Sequence, residues 1–249
     1  SKFQNYGRLS NLKPDNLKKG KRVLNDEYEK EEMRDFALWK GYKEADGDVF
    51  WESPWGRGRP GWHIECSAMS MHYLGSHFDI HCGGVDNIFP HHENEIAQSV
   101  CAFDSKFVNY WLHNEHLLVD NQKMSKSLGN FYKVRELLEK GYSPETIRYV
   151  LISTHYRQKL NFTFEKLENA QKAINKLKEL QRRLNNVSNK SEHNKSYIIK
   201  TDGFLDEFNS CLRDDLNISG ALGGLFKWVS YIFSEIDSRS LSIKQSKDA

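Results

Sequence analysis

The chain has 249 residues, 38% hydrophobic and 28% charged, with a formal net charge of +2. That suits one large or two modest domains with a polar surface, and the near-neutral balance neither demands nor excludes a nucleic-acid partner. No run approaches the roughly 18 apolar residues of a membrane span, no basic-then-apolar leader opens the chain, and Cys66, Cys82, Cys101 and Cys211 form neither a C-x-x-C pair nor a disulfide-dense framework, so the expected setting is reducing and cytoplasmic.

In chain order, residues 1–25 are polar and irregular, with short strands at best. A helix is expected from Asp26 to Trp39, with turns at Gly41 and Asp46-Gly47-Asp48. WESPWGRGRPGW is a loop, with its glycines and prolines in twelve residues. WHIECSAMSMHYL predicts a helix closed by Gly75, HFDIHCGG a strand ending in glycines, and PHHENEIAQSVCAF a second helix with Pro90 at its first position. VNYWLHNEHLLVD is strand-rich. The order helix, strand, glycine turn, helix, strand predicts a parallel α/β layer, whose glycine turn is where such sheets bind ligands. NQKMSKSLGN is a polar loop, and beyond it the chain is helical. Ser143, Pro144 and Glu145 start one helix, and Leu167, Ala170, Ile174, Leu177 and Leu184 mark the apolar stripe of another. A polar linker covers about 185–196 and a further helical segment runs over 202–237.

The first chemistry lies after Pro90. His91 and Glu95 are four apart, on one helix face, so an imidazole and a carboxylate there can reach one ion. The spacing is also that of a solvated helix face, and acids near a helix N-terminus have an electrostatic reason to be there. Cys66 on the preceding helix is a third candidate, against the plainer reading of a buried, inert thiol. Together the three donors are of the mixed type that suits zinc rather than magnesium or calcium. The second chemistry is KMSKS, residues 123–127, where two lysines three apart can turn toward one polyphosphate, or simply decorate a surface loop.

GRPGWHIECSAM, DIHCGGVDNIFPHHENEIAQS and KMSKSLGN together resemble the cysteinyl-tRNA synthetases, members of the class I aminoacyl-tRNA synthetases, and the likeness runs from YGRLS to DDLNISGAL. It implies a zinc ion held by Cys66, His91 and Glu95, with Trp62 and His81 lining the cysteine pocket. Gly84 and Asp86 fall on the adenosine-side turn. Lys126 falls on the ATP-binding, catalytic lysine, with Lys123 as its companion. The implied reaction activates L-cysteine with ATP, accompanied by magnesium, and transfers it to tRNA(Cys). The implied protein is a cytoplasmic monomer with no membrane association.

The resemblance also implies an α/β fold: the second half of a Rossmann-like parallel-sheet domain, then a helical bundle and part of a helical anticodon-binding domain. In residue terms, 1–50 end a connective insertion, 51–142 carry the catalytic half with the KMSKS loop, 143–190 form the bundle and 191–249 start the anticodon-binding domain. Two family elements are absent, the H-I-G-H signature and the cysteine before it that completes the zinc site. The chain therefore reads as a fragment lacking the first half of the nucleotide-binding domain. Cys82 stands where the family has glycine, either a substitute ligand or a small-residue replacement. Two rivals remain: a mycothiol-type cysteine ligase, which needs no tRNA, and a non-catalytic RNA-binding module stapled by a closed zinc site.

Overall fold

A computed structural model of the chain describes residues 3–12, 35–187, 195–242 and 245. Two compact units divide it, Ser1–Asn114 and Glu115–Ala249. No helix among the described residues is long and apolar enough to cross a membrane.

In the first unit, β1 (Trp39–Gly41) and β2 (Gly58–Pro60) form an antiparallel ribbon with Trp39 opposite Pro60. The helix expected over 26–39 is corrected at its end. Residues 26–34 lie outside the described ones, Asp35–Leu38 are not helical, and Trp39 opens β1. Strand pairing overrides local helix propensity there, helped by Gly58: any Cβ on it would sit 2.1 Å from the Lys40 carbonyl oxygen.

Next comes α1 (Trp62–Leu74), closed as expected by Gly75 at φ 87°. Then follow β3 (Phe78–Gly84), a tight turn over Val85–His92, α2 (Glu93–Phe103) and β4 (Val108–Asn114). β3 and β4 are parallel, the arrangement expected from the order of elements, with His81 opposite Trp111 and Gly83 opposite His113. Alternation therefore puts His81, Gly83, Trp111 and His113 on one face of the pair and Ile80, Cys82, Tyr110 and Leu112 on the other. Phe89 is extended (φ −136°, ψ 131°) and precedes a cis peptide to Pro90. Helical dihedrals begin at Pro90 and the regular α-helix at Glu93.

A small apolar cluster of Phe78, Phe107 and Val108 sits under Ile96, Val100 and Trp111. Residues 3–12 dock on the start of α2. Glu93, fully buried, accepts the Gly7 amide at 2.9 Å and the Ser10 amide and hydroxyl at 2.7 and 2.9 Å, and the Tyr6 hydroxyl donates to Asn94.

In the second unit, β5 (Leu117–Val119) and β6 (Gln122–Lys123) form a hairpin. Its two turn residues, Asp120 and Asn121, have φ of 48° and 62°, the left-handed pair that a two-residue turn requires. β7 (Leu160–Phe162) joins β5 in parallel. The helices are α3 (Val134–Glu139), α4 (Pro144–Ile152), α5 (Phe164–Asn185), α6 (Lys195–Arg213) and α7 (Ile218–Asp237). Ser143 caps α4 by accepting the Thr146 amide, with Pro144 in the first turn, as its sequence predicts.

The linker's residues 188–194 lie outside the described ones, and α6 already begins at Lys195. The segment over 202–237 is two helices, not one. Asp215 and Leu216 take φ of 50° and 57°, and Tyr156 and Arg157 both donate to Asp215, which fixes the break. Apolar clusters fill this unit: Val119, Leu137, Ile147, Val150, Phe162, Leu167 and Ala170 in one, and Leu180, Trp228, Val229, Ile232 and Leu241 in another.

Candidate active site

Cys66 lies in α1 and Glu95 in α2, and the two helices are tied by the fully buried Ser67, whose hydroxyl donates to Gln98 Oε1 at 2.6 Å. That tie sets Cys66 against the first turn of α2. One ligand atom each from Cys66, His91 and Glu95 lie within 4.8 Å of one another. Glu95 has no exposed surface, and neither of its oxygens receives a hydrogen bond. His81 Nε2 is 3.2 Å from Oε2, His91 Nε2 3.8 Å from Oε1 and His92 Nε2 3.9 Å from Oε2, without hydrogen-bond geometry. An unpaired buried carboxylate is expensive. The site therefore has the makings of a cation seat, and a thiolate, an imidazole and a carboxylate are donors that zinc accepts.

Burial, followed by the negative charges of Glu95 and Glu65, pushes the Cys66 thiol up to about 11. Without a cation the sulfur keeps its proton at neutral pH. His91 is lowered by burial, only partly opposed by Glu95. His92 is lowered to about 3, by burial first and then by His81, His113 and His91. Both rings are thus neutral at pH 7 and hold a lone pair for a ligand.

The neighbours orient these groups. His63 Nδ1 is 2.8 Å from His91 Nδ1, which leaves His91 Nε2 toward Glu95. The Trp62 ring lies 4.4 Å from that of His91. His92 Nδ1 is 2.8 Å from His113 Nε2, and Trp111 lies against both His81 and His92 at 4.7 and 4.8 Å. Gly83 makes room for this stack: a Cβ there would come within 2.6 Å of the His92 ring.

Of the residues singled out in the sequence, Trp62, Cys66, His81, His91 and Glu95 come together in this one cluster. Gly84 and Asp86 sit at the end of β3, where the Asp86 carboxylate folds over the Gly84 backbone, 2.4 Å from where a Cβ would be. Cys82 is exposed and belongs to neither of the two ligand groups found among the described residues. Lys123 ends the β5–β6 hairpin of the second unit and Lys126 follows in the loop, both exposed. Asn130 clasps that loop, accepting the Ser125 amide at 2.8 Å and donating to the Lys123 carbonyl at 3.1 Å. The Ser125 and Ser127 hydroxyls share a hydrogen bond of 2.7 Å.

Residues 1–172 match the family model described as tRNA synthetases class I (C) catalytic domain. The chain belongs to this family. Curated relatives of this class I family named cysteine–tRNA ligase include one from Brachyspira hyodysenteriae, 55% identical over 99% of this chain and 53% of its own length. Another, from Chlamydia caviae, is 51% identical over 97% of this chain and 51% of its own length. The chain thus spans about half the length of these relatives. Solved structures agree on the mixed α/β fold. LeuRS of Agrobacterium radiobacter K84, in a ternary complex with tRNA and LeuAMS, aligns with TM-score 0.62 at 13% identity over 79% of this chain and 31% of its own. Methionyl-tRNA synthetase of Mycobacterium tuberculosis, bound by methionyl-adenylate, aligns with TM-score 0.51 at 20% identity over 63% of this chain and 34% of its own.

Within this class I chain, spacing alone assigns no role to His63, His92 or His113, and Glu93, an acid near a helix N-terminus, has only an electrostatic role by that measure. The signal for His113 was present: in HFDIH and NYWLH, alternation along two adjacent strands puts His81 and His113 on one face. For Glu93 no local signal exists, since its partners, Gly7 and Ser10, lie more than eighty residues away.

Proposed function

We propose that this chain carries the amino-acid-recognition site and lysine loop of a cysteine–tRNA ligase. The observation that carries the reading is the buried Glu95, with neither oxygen hydrogen-bonded, facing Cys66 and His91. These three residues would hold zinc. The chemistry the ion supplies when bound is stabilisation of a substrate thiolate, which serine cannot offer and which supports discrimination of about 10⁴–10⁵-fold when a site bonds the distinguishing group directly.

The chain's own side chains do the rest. Trp62 and His81 wall the amino-acid pocket and fix the orientation of the bound substrate. Gly84 and Asp86 form the nucleoside-side turn. Lys126 and Lys123 offset charge growing on the pyrophosphate of ATP, which enters with magnesium, as the loop closes. The helices beyond residue 143, taken as the bundle over 143–190 and the start of an anticodon-binding domain over 191–249, meet tRNA(Cys) through their lysines, so binding is salt-dependent. Residues 1–50 end the connective insertion and 51–142 make up the catalytic half. The enzyme acts as a cytoplasmic monomer.

The test is calorimetry of the zinc-loaded chain with cysteine, serine and ATP. Cysteine binds and serine does not, and Cys66→Ser or His91→Ala weakens cysteine far more than ATP. Equal loss of both ligands in these variants would sink the reading.

A further inference from the structure

The two oxygens of Glu95 face two different sets of donors. Oε1 lies toward His91, in the group with Cys66. Oε2 lies toward His81 and His92, and these form a second group in which ligand atoms of His81, His92 and Glu95 also fall within 4.8 Å of one another. A single ion on the Cys66 side would occupy one oxygen and leave the other buried and unpartnered. We propose that His81, His92 and Glu95 Oε2 form a second divalent-cation site, with Glu95 bridging it to the first.

The geometry of the rings supports this. His92 Nδ1 is engaged by His113 Nε2 at 2.8 Å, so Nε2, on the Glu95 side, is the nitrogen left for an ion. Outer-shell contacts of this type set the ring orientation and tautomer of metal-binding histidines. The ring itself is held, with the Gly83 backbone beneath it and Trp111 beside it. Two imidazoles and one carboxylate suit zinc, cobalt(II) or iron(II) and leave open positions.

Charge orders the two sites. The first has a thiolate and a share of the carboxylate, whereas the second has two imidazoles and only the other share. Two dications so close repel one another, so the second ion binds more weakly. His81 is also the proposed wall of the amino-acid pocket; resting on that reading alone, an ion in the second site competes with cysteine.

Cobalt(II) titration of the chain, followed by visible absorption and by metal analysis after equilibration, tests the proposal. Two equivalents are expected. The first brings a thiolate-to-cobalt charge-transfer band, and the second adds only ligand-field intensity. His92→Gln removes the second equivalent and keeps the band, Cys66→Ser removes the band and keeps an equivalent, and His113→Ala weakens the second equivalent by about 10–100-fold. Saturation of the unaltered chain at one equivalent would overturn the proposal, and needs no variant to fold. Two equivalents retained by His92→Gln would overturn it as well. Failure of the Cys66 site would look different, as cobalt binding with no charge-transfer band.

Discussion

Among the described residues, side chains with no exposed surface include Ser67, Glu93, Asn94 and Glu95 in the first unit, all polar, and Thr146, Leu167, Ala221, Val229 and Ile232 in the second. Aliphatic burial stabilises the second unit with nothing bound, at roughly 25 cal/mol per Å² removed from water. The first unit has buried carboxylates instead. Glu93 is compensated internally, by the amides of Gly7 and Ser10, whereas Glu95 is not. The contrast sets a unit whose fully buried side chains are mainly aliphatic against one that buries a carboxylate, Glu95, with no hydrogen-bond donor.

The largest effect that would break this comparison is in the aliphatic half. Leu167→Ala, at a fully buried site, is expected to lower stability by about 2–5 kcal/mol in denaturant titration, with cobalt stoichiometry unchanged. A fall in metal affinity would break the comparison.

Next comes the ion. At a free zinc concentration 100 times the dissociation constant, the first unit gains about 2.7 kcal/mol. Hydrogen exchange then slows in α1 and α2 and not in α5. Equal slowing in α5 would erase the contrast. Glu93→Gln should remove about 1–3 kcal/mol, because it weakens an acceptor shared by three donors, one buried and two part-buried. Exchange at the Gly7 and Ser10 amides would rise most, while the charge-transfer band of bound cobalt stays.

The smallest effect sharpens the comparison from the polar surface of the second unit. Hydrogen bonds from Arg182 and Arg183 hold the Glu179 carboxyl down to about 2, from an ordinary 4.5. Its folded value is the lower one, so its contribution is complete above pH 4.5 and is lost as pH falls toward 2. The group is fully exposed and salt screens it. Acid unfolding of Glu179→Gln should therefore differ slightly from the parent at low ionic strength, and the difference should vanish in salt.

Much of the fold was legible because its signals are local. Gly75, Ser143-Pro144 and the stripe through Leu167 and Ala170 each act within a turn or two of helix, and each marks a real helix or helix end. The sequence failed where a distant partner decides. Trp39 is a strand residue because Pro60 pairs with it, and the break at Asp215 is fixed by Tyr156 and Arg157. The site divides in the same way. Residue type and spacing made Cys66, His91 and Glu95 candidates while leaving a solvated face and an inert thiol open, whereas His63 and His92 matter through contacts with other rings that no spacing announces.

The bare backbone at Gly83 has a consequence for anyone who would redesign this pocket. One added methyl group would collide with the ring of His92 and displace it. Through that ring the displacement would reach His113 on one side and the Glu95 carboxylate on the other. A single hydrogen atom on β3 thus serves as the keystone of the whole imidazole arch.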